Sequence, residues 1–289
     1  MSMHALTRWF TWISSGDVVI ASRVGPQDPY DHDPYWTLLE HRRLWVVPLL
    51  VLCIATMASL PFDLELSRWF LLGHAPGFIH KLSNVAEPFG NGLGVMFVCV
   101  VIFMLDKARR RDLVLVITSS LGAGLVTNLI KINVGRIRPY AYTFEGGVHE
   151  TFRPWVETIS FTSDYQSFPS GHATTAVGLA MALALLYPRS RFLFFGLAAF
   201  VGLHRVCVGA HYLSDVFAGA TVGYLVGLVC CRVHLWKWRM MGVIATTPAD
   251  GVPCVPPTHL DLDRAGASQS PSDGSGRGAP DENSECAAK

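Results

Sequence analysis

The sequence predicts an all-α integral membrane bundle of six transmembrane helices. Two observations predict it. Of the 289 residues, 51% are hydrophobic and only 16% are charged, where a soluble domain carries about 25% charge. The apolar residues also fall into six long stretches, at about residues 44–60, 89–105, 113–130, 173–187, 192–208 and 213–231. Each approaches the roughly 17–25 residues needed to cross a bilayer core. Six such stretches leave little amphipathic helix to face water, which argues against a soluble helical bundle.

The first three stretches are uniformly apolar. The fourth is short and rich in alanine, and the fifth carries His204 and Arg205 near its end. Small residues recur at four-residue spacing, as Ala176, Ala180 and Ala184 in the fourth and Gly219, Gly223 and Gly227 in the sixth. Such stripes let helices approach closely. Between the first two stretches, residues 64–82 mix apolar and polar side chains and suit a helix lying in the interface. Residues 133–168 form a long, aromatic loop that includes Tyr140, Tyr142, Trp155 and Phe161. It suits a cover over a site, a contact with a lipid head group, or an aromatic anchor in the membrane belt.

Six spans put both termini on one side. That side carries eleven Lys and Arg residues in its short loops and flanks, including Arg42, Lys107, Arg110, Arg189 and Arg232; the other side carries seven. The excess predicts cytoplasmic termini. The chain divides into an N-terminal cytoplasmic segment, 1–43, a six-span domain, 44–241, and a C-terminal tail, 242–289. The tail is rich in Pro, Gly, Ser, Asp and Ala, a composition expected to be disordered. Trp9, Phe10, Trp12 and Ile13 suit the membrane surface, and no cleavable signal peptide is expected. Net charge is +1 with no basic block, which gives no reason to expect a nucleic-acid partner. Seven scattered cysteines without a CxxC pair form neither a disulfide framework nor a zinc pattern.

Three clusters of costly residues stand at the outer ends of the stretches. KINVGRIRP holds Lys131 and Arg138-Pro139, PSGH holds Ser170, Gly171 and His172, and HRVCVGAHYLSD holds Arg205, His211 and Asp215. An ionisable residue at mid-bilayer costs about 2.5–3.5 kcal/mol on insertion scales, less near an interface. Any one of them alone is accounted for by snorkelling. Three clusters on one side offer three cations, two histidines and a carboxylate, an inventory suited to holding and cutting an anionic group. Lys131, Arg138 and Arg205 would neutralise a phosphate of roughly −1.5 to −2 charge. PSGH opens the fourth helix, where free N–H groups attract anions. On a helix His211 and Asp215 would share a face, and a carboxylate that orients an imidazole makes it a plausible nucleophile. His172 would protonate the leaving oxygen. A metal site is the chemical rival, since His-x3-Asp can supply two ligands, but three cations would repel the ion. A proton relay would explain His and Asp but not the fixed positive charge.

The three clusters resemble the three-part signature of the type 2 phosphatidic acid phosphatase (PAP2) superfamily, which includes vanadium haloperoxidases and bacterial acid phosphatases. Its pattern is Lys, six residues, Arg-Pro; then Pro-Ser-Gly-His; then Ser-Arg, five residues, His, three residues, Asp. Lys131 and Arg138-Pro139, Pro169 to His172, and Arg205, His211 and Asp215 match it; His204 departs from it, standing where the family often has Ser. The resemblance implies a PAP2/haloperoxidase-like core. It implies His211 as nucleophile, forming a phosphohistidine, with Asp215 orienting it and His172 as general acid. It implies Lys131, Arg138, Ser170, Gly171 and Arg205 as the phosphate-binding set, with no metal and no cofactor. The expected activity is hydrolysis of a phosphomonoester or diphosphate on a membrane lipid. Candidates are phosphatidate, phosphatidylglycerol phosphate, undecaprenyl diphosphate and the lipid A head group. A lipid phosphotransferase of the same family and a non-catalytic lipid-binding or transport protein are the alternatives. A haloperoxidase is disfavoured, because its relatives are soluble. The expected location is a bacterial inner membrane, with the site on the periplasmic side.

Overall fold

The computed structural model describes residues 42–153 and 163–246, with the side chains of 45–153 and 163–237. The expectations for residues 1–41, including Trp9, Phe10, Trp12 and Ile13, lie outside the described residues. So do those for Trp155, Phe161 and the tail from 247. The chain divides into a unit Met1–Met240 and a unit Met241–Lys289. The first is described below; of the second, only the helical backbone to Thr246 is described.

All six apolar stretches are helical. Helix α1 (Arg42–Ser59) runs through a short 3-10 turn, Leu60–Phe62, into α2 (Asp63–Leu71). Helix α3 (Gly77–Ala86) follows, then a 3-10 turn, Glu87–Gly90, and α4 (Gly92–Leu105). Helix α5 (Leu113–Asn133) leads into a long loop, and α6 (Gly171–Leu186), α7 (Arg191–Cys207) and α8 (Leu213–Thr246) complete the bundle. The single interfacial helix expected over 64–82 is instead two helices, α2 and α3. They are separated where Gly73 adopts φ +78° and Pro76 caps α3.

By length and hydropathy four helical stretches can cross a membrane: Trp45–Leu71, Lys107–Asn133, Pro188–Cys207 and Leu213–Lys237. The pair Gly77–Gly90 and Gly92–Leu105, bent by 71°, makes a fifth if it counts as one span. Helix α6 has 16 residues, about 24 Å at 1.5 Å per residue, short of the roughly 30 Å hydrocarbon core. The six crossings expected are therefore not all met by length. Protein, not lipid, surrounds α6: from Ala173 to Leu186 every residue but Val177 is buried.

Small residues produce that burial. A Cβ at Gly219 would collide with the Ser170 carbonyl, one at Gly223 with the Thr174 carbonyl, and one at Gly227 with the Met181 side chain. The glycine stripe of α8 thus lies against successive turns of α6. On another side Gly178 meets the Ser119 backbone of α5, and Ser119 Oγ donates to the Gly178 carbonyl at 2.6 Å. Ala176 and Ala180 pack with Ala86 of α3 and with Ala198 and Val201 of α7. An added methyl in such contacts costs about 1–3 kcal/mol. The result is a rigid post whose N-terminus is the PSGH segment.

The loop between α5 and α6 is pinned by a two-residue antiparallel ladder of β1 (Gly135–Arg136) and β2 (Phe152–Arg153), with an isolated bridge from Arg136 to Gln166. Between α7 and α8 the chain turns at Gly209, whose φ of +65° favours glycine. A Cβ there would strike the Leu71 side chain of α2. This turn sets His211 just ahead of α8.

Candidate active site

The eight residues singled out in the sequence converge at the N-terminal end of α6. Ser170 is the N-cap of α6, Gly171 its first residue and His172 its second. Lys131 stands in the last turn of α5, close to Gly171: a Cβ built on that glycine would lie 3.9 Å from Lys131 Nζ. Arg138 follows the first strand of the loop, and Arg205 lies in the last turn of α7. Lys131 feels the charges of both arginines, which also repel each other. These three cations therefore form one cluster. Nε of Arg138, Nε of Arg205 and Oγ of Ser170 are all buried without a hydrogen-bond partner. Buried donors are rarely left unpaired, and these three orphans near one helix N-terminus leave donors free for an anion with several oxygens.

His211 is buried. Its Nδ1 lies 2.7 Å from the carbonyl oxygen of Ser167, and 3.8 Å from Oδ2 of Asp215. A carbonyl can only accept, so Nδ1 carries the proton and Nε2 keeps the lone pair. Burial pushes the pKa of His211 down to about 4, against the opposing pull of Asp215 and with the help of Lys131 and Arg138. The ring is neutral at pH 7. The geometry differs from a helical i, i+4 contact because α8 begins only at Leu213, leaving His211 in the turn before it.

Asp215 organises the turn around that ring. Its Oδ2 accepts from Ser167 Oγ at 2.5 Å and from the Tyr212 N–H at 3.0 Å. Ser167 thus touches Asp215 with its hydroxyl and His211 with its carbonyl. Oδ1 of Asp215 accepts from Arg136. Arg136 is itself fully buried; it donates to Asp63 at 2.7 Å, to Ser214 Oγ at 2.8 Å and to Thr151 Oγ1 at 3.1 Å. Its guanidinium sits over the rings of Tyr212 and Phe152, 4.1 and 4.5 Å from their centroids. Asp63, at the start of α2, also accepts from the Ser214 N–H at 3.0 Å and from the Ser214 hydroxyl. Removing one member of such a buried network leaves an uncompensated charge, at about 3–5 kcal/mol.

His172 has a different setting. It is half-buried, and its Nε2 lies 3.1 Å from Oε1 of Glu87 in the turn between α3 and α4. Asn91 Nδ2 donates to both Glu87 oxygens at 3.3–3.4 Å. A cleft of about 430 Å³ opens beside His172, between α5 and the start of α4, and Gly124, Asn128 and Thr175 help line it. His204, next to Arg205, is buried with Nδ1 unpartnered.

Asp63, Glu87, Arg136, Ser167 and Ser214 are absent from the sequence-derived set. The costly-residue argument applies equally to Asp63 and Glu87, each a carboxylate flanked by apolar residues near the edge of a stretch. Nothing local, however, pairs Asp63 with Ser214, 151 positions away, or Glu87 with His172, 85 positions away.

Residues 112–239 match the PAP2 superfamily. A lipid A 1-phosphatase of Rhizobium etli is 30% identical over 208 residues, covering 66% of this chain and 85% of that protein. One of Rhizobium johnstonii is 33% identical over 196 residues, covering 62% and 76%. A lipid A 4'-phosphatase of Porphyromonas gingivalis is 25% identical over 162 residues, covering 54% and 66%. The matched residues run from the start of α5 into α8 and so hold every member of the three clusters. With its apolar helices and this match, the chain is an integral membrane protein that belongs to the PAP2 superfamily.

Proposed function

We propose that the protein is a metal-independent lipid phosphatase of a bacterial inner membrane. It acts at the periplasmic end of the bundle on a phosphate of a lipid A type head group. One observation carries the reading: three mutually repelling cations and three orphaned buried donors surround the N-terminus of α6, between two histidines. The names of the related lipid A phosphatases support the head group.

In this reading Lys131, Arg138, Arg205, Ser170 and the N–H groups opening α6 hold the phosphoryl oxygens. Nε2 of His211, its lone pair free, forms a bond to phosphorus. The bond to the lipid oxygen breaks, and His172 gives that oxygen a proton. The neutral His172 then takes a proton from water, which attacks phosphorus, frees phosphate and restores His211. Asp215 acts on His211 chiefly through Ser167, by fixing the carbonyl that holds the Nδ1 proton. The fixed cations supply the charge stabilisation that a metal would otherwise give.

The test is phosphate release by purified protein from a panel of lipid A phosphorylated at the 1 or 4' position, phosphatidate, phosphatidylglycerol phosphate and undecaprenyl diphosphate. Release from lipid A, insensitive to chelator and absent in His211→Ala, is expected. Preference for another lipid would contradict the head group. Transfer of phosphate to a second lipid would make the protein a transferase, and activity lost to chelator and restored by a divalent ion would contradict metal independence.

A further inference from the structure

Glu87 belongs to none of the three clusters, yet its carboxylate is the hydrogen-bond partner of His172, at 3.1 Å from Nε2. The contact is built rather than incidental. Gly90, in the same turn, presses on the start of α6 so closely that a Cβ there would lie 2.8 Å from the His172 carbonyl and 2.5 Å from Val201 Cγ1. Asn91 holds the carboxylate from behind with its amide nitrogen, while its amide oxygen caps α4 through the Gly94 N–H at 2.8 Å. Turn, cap and carboxylate are one rigid piece aimed at the ring.

Charge gives the piece its purpose. Among the described residues, the charged groups acting on His172 are Arg205 from α7, Lys131 from α5 and Glu87 from the turn. Burial and the two cations push the ring toward its neutral form, and among these charged groups only the carboxylate opposes them. A general acid must carry its proton when substrate binds. We propose that Glu87 is a positioning residue for His172: it grips Nε2, leaves Nδ1 to face the phosphoryl pocket, and favours the protonated ring against Lys131 and Arg205. This rests on the phosphatase reading. On phosphoryl transfer from the lipid to His211, the proton leaves Nδ1 of His172 for the lipid oxygen, and the neutral ring stays hydrogen-bonded to Glu87.

The test compares wild type, Glu87→Gln, Glu87→Asp and Glu87→Gln/His172→Ala. Phosphate release is followed across pH from a lipid phosphate and from an aryl phosphate with a good leaving group. Glu87→Gln is expected to lower kcat on the lipid by roughly 10-fold or more, part of the ~10²-fold of general acid catalysis, with KM little changed. Its alkaline limb is expected to move about one pH unit lower, since removing a carboxylate disfavours the protonated ring. The loss should shrink on the aryl substrate, be partly restored in Glu87→Asp, and vanish against a His172→Ala background. A pH titration of ¹⁵N-labelled histidine should show the His172 ring losing its proton about one unit lower in Glu87→Gln, a readout independent of turnover. An unmoved titration overturns the proposal. So does a loss that ignores the leaving group and adds to that of His172→Ala, which marks a structural role. A wild type inert on every substrate would sink the phosphatase reading itself.

Discussion

The two histidines of the site sit in opposite surroundings. His211 is buried, and its Nδ1 meets a backbone carbonyl held in place by Asp215, Ser167 and the Arg136 network. His172 is partly open, 31% exposed at its side chain, and its Nε2 meets a carboxylate. A carbonyl can fix a tautomer but adds no full charge, and burial holds that ring neutral. A carboxylate favours the cation. One fold thereby gives the same side chain two different partners, the asymmetry that the proposed division between nucleophile and general acid would use.

Breaking the buried half should have the largest effect. His211→Ala is expected to abolish phosphate release, a loss of at least about 10⁴-fold, because residues that act as a unit fail together; activity near wild type would remove it as nucleophile. Breaking the open half should cost less. His172→Ala is expected to lose at least about 10²-fold on lipid substrates and less where the leaving group is good, and equal losses on both would deny the acid role. Cutting the support behind His211 should first show in stability. Arg136→Met strands the carboxylates of Asp63 and Asp215 and is expected to cost about 3–5 kcal/mol, read as earlier unfolding in detergent; unfolding as in wild type would show that the network carries no such strain when broken.

The pH profile sharpens the contrast. In the proposed mechanism the neutral form of His211 is the nucleophile, and burial pushes its pKa down to about 4. Turnover should therefore survive to near pH 4 on the acid side rather than fail near the ordinary histidine value of about 6.5. Stability follows the same group: between about 6.5 and 4 the unfolded chain binds the proton and the folded one resists it, so stability falls as pH drops through that window. An acid limb at 6.5 would contradict the burial argument. The smallest effect belongs to the tail: removing residues 247–289, a stretch with little apolar surface to bury, should leave turnover and unfolding unchanged within about 0.5 kcal/mol.

Much of this contrast is written in the sequence, and the remainder has a physical reason for being hidden. Apolar runs gave all six helices, since hydrophobicity is additive along the chain. The glycines at 219, 223 and 227 announced a close contact and made one. Motif spacing marked the six ionisable side chains of the site. Spacing did not reveal that α6 is an internal post, because burial by protein and burial by lipid demand the same apolar composition. Nor did it reveal how Asp215 serves His211, because helical spacing fails where the helix has not begun. Glu87, Asp63 and Ser167 were visible as residues but not as partners, since each finds its mate only when distant helices close.

The most direct test of the central claim is to stop the reaction of the purified protein with lipid A carrying a ³²P-labelled phosphate within a turnover and locate the label. Label on His211, absent in His211→Ala and accumulating when the water step is slowed in His172→Ala on a good leaving group, is the predicted result. Label on another residue, or full turnover with none passing through His211, would contradict it.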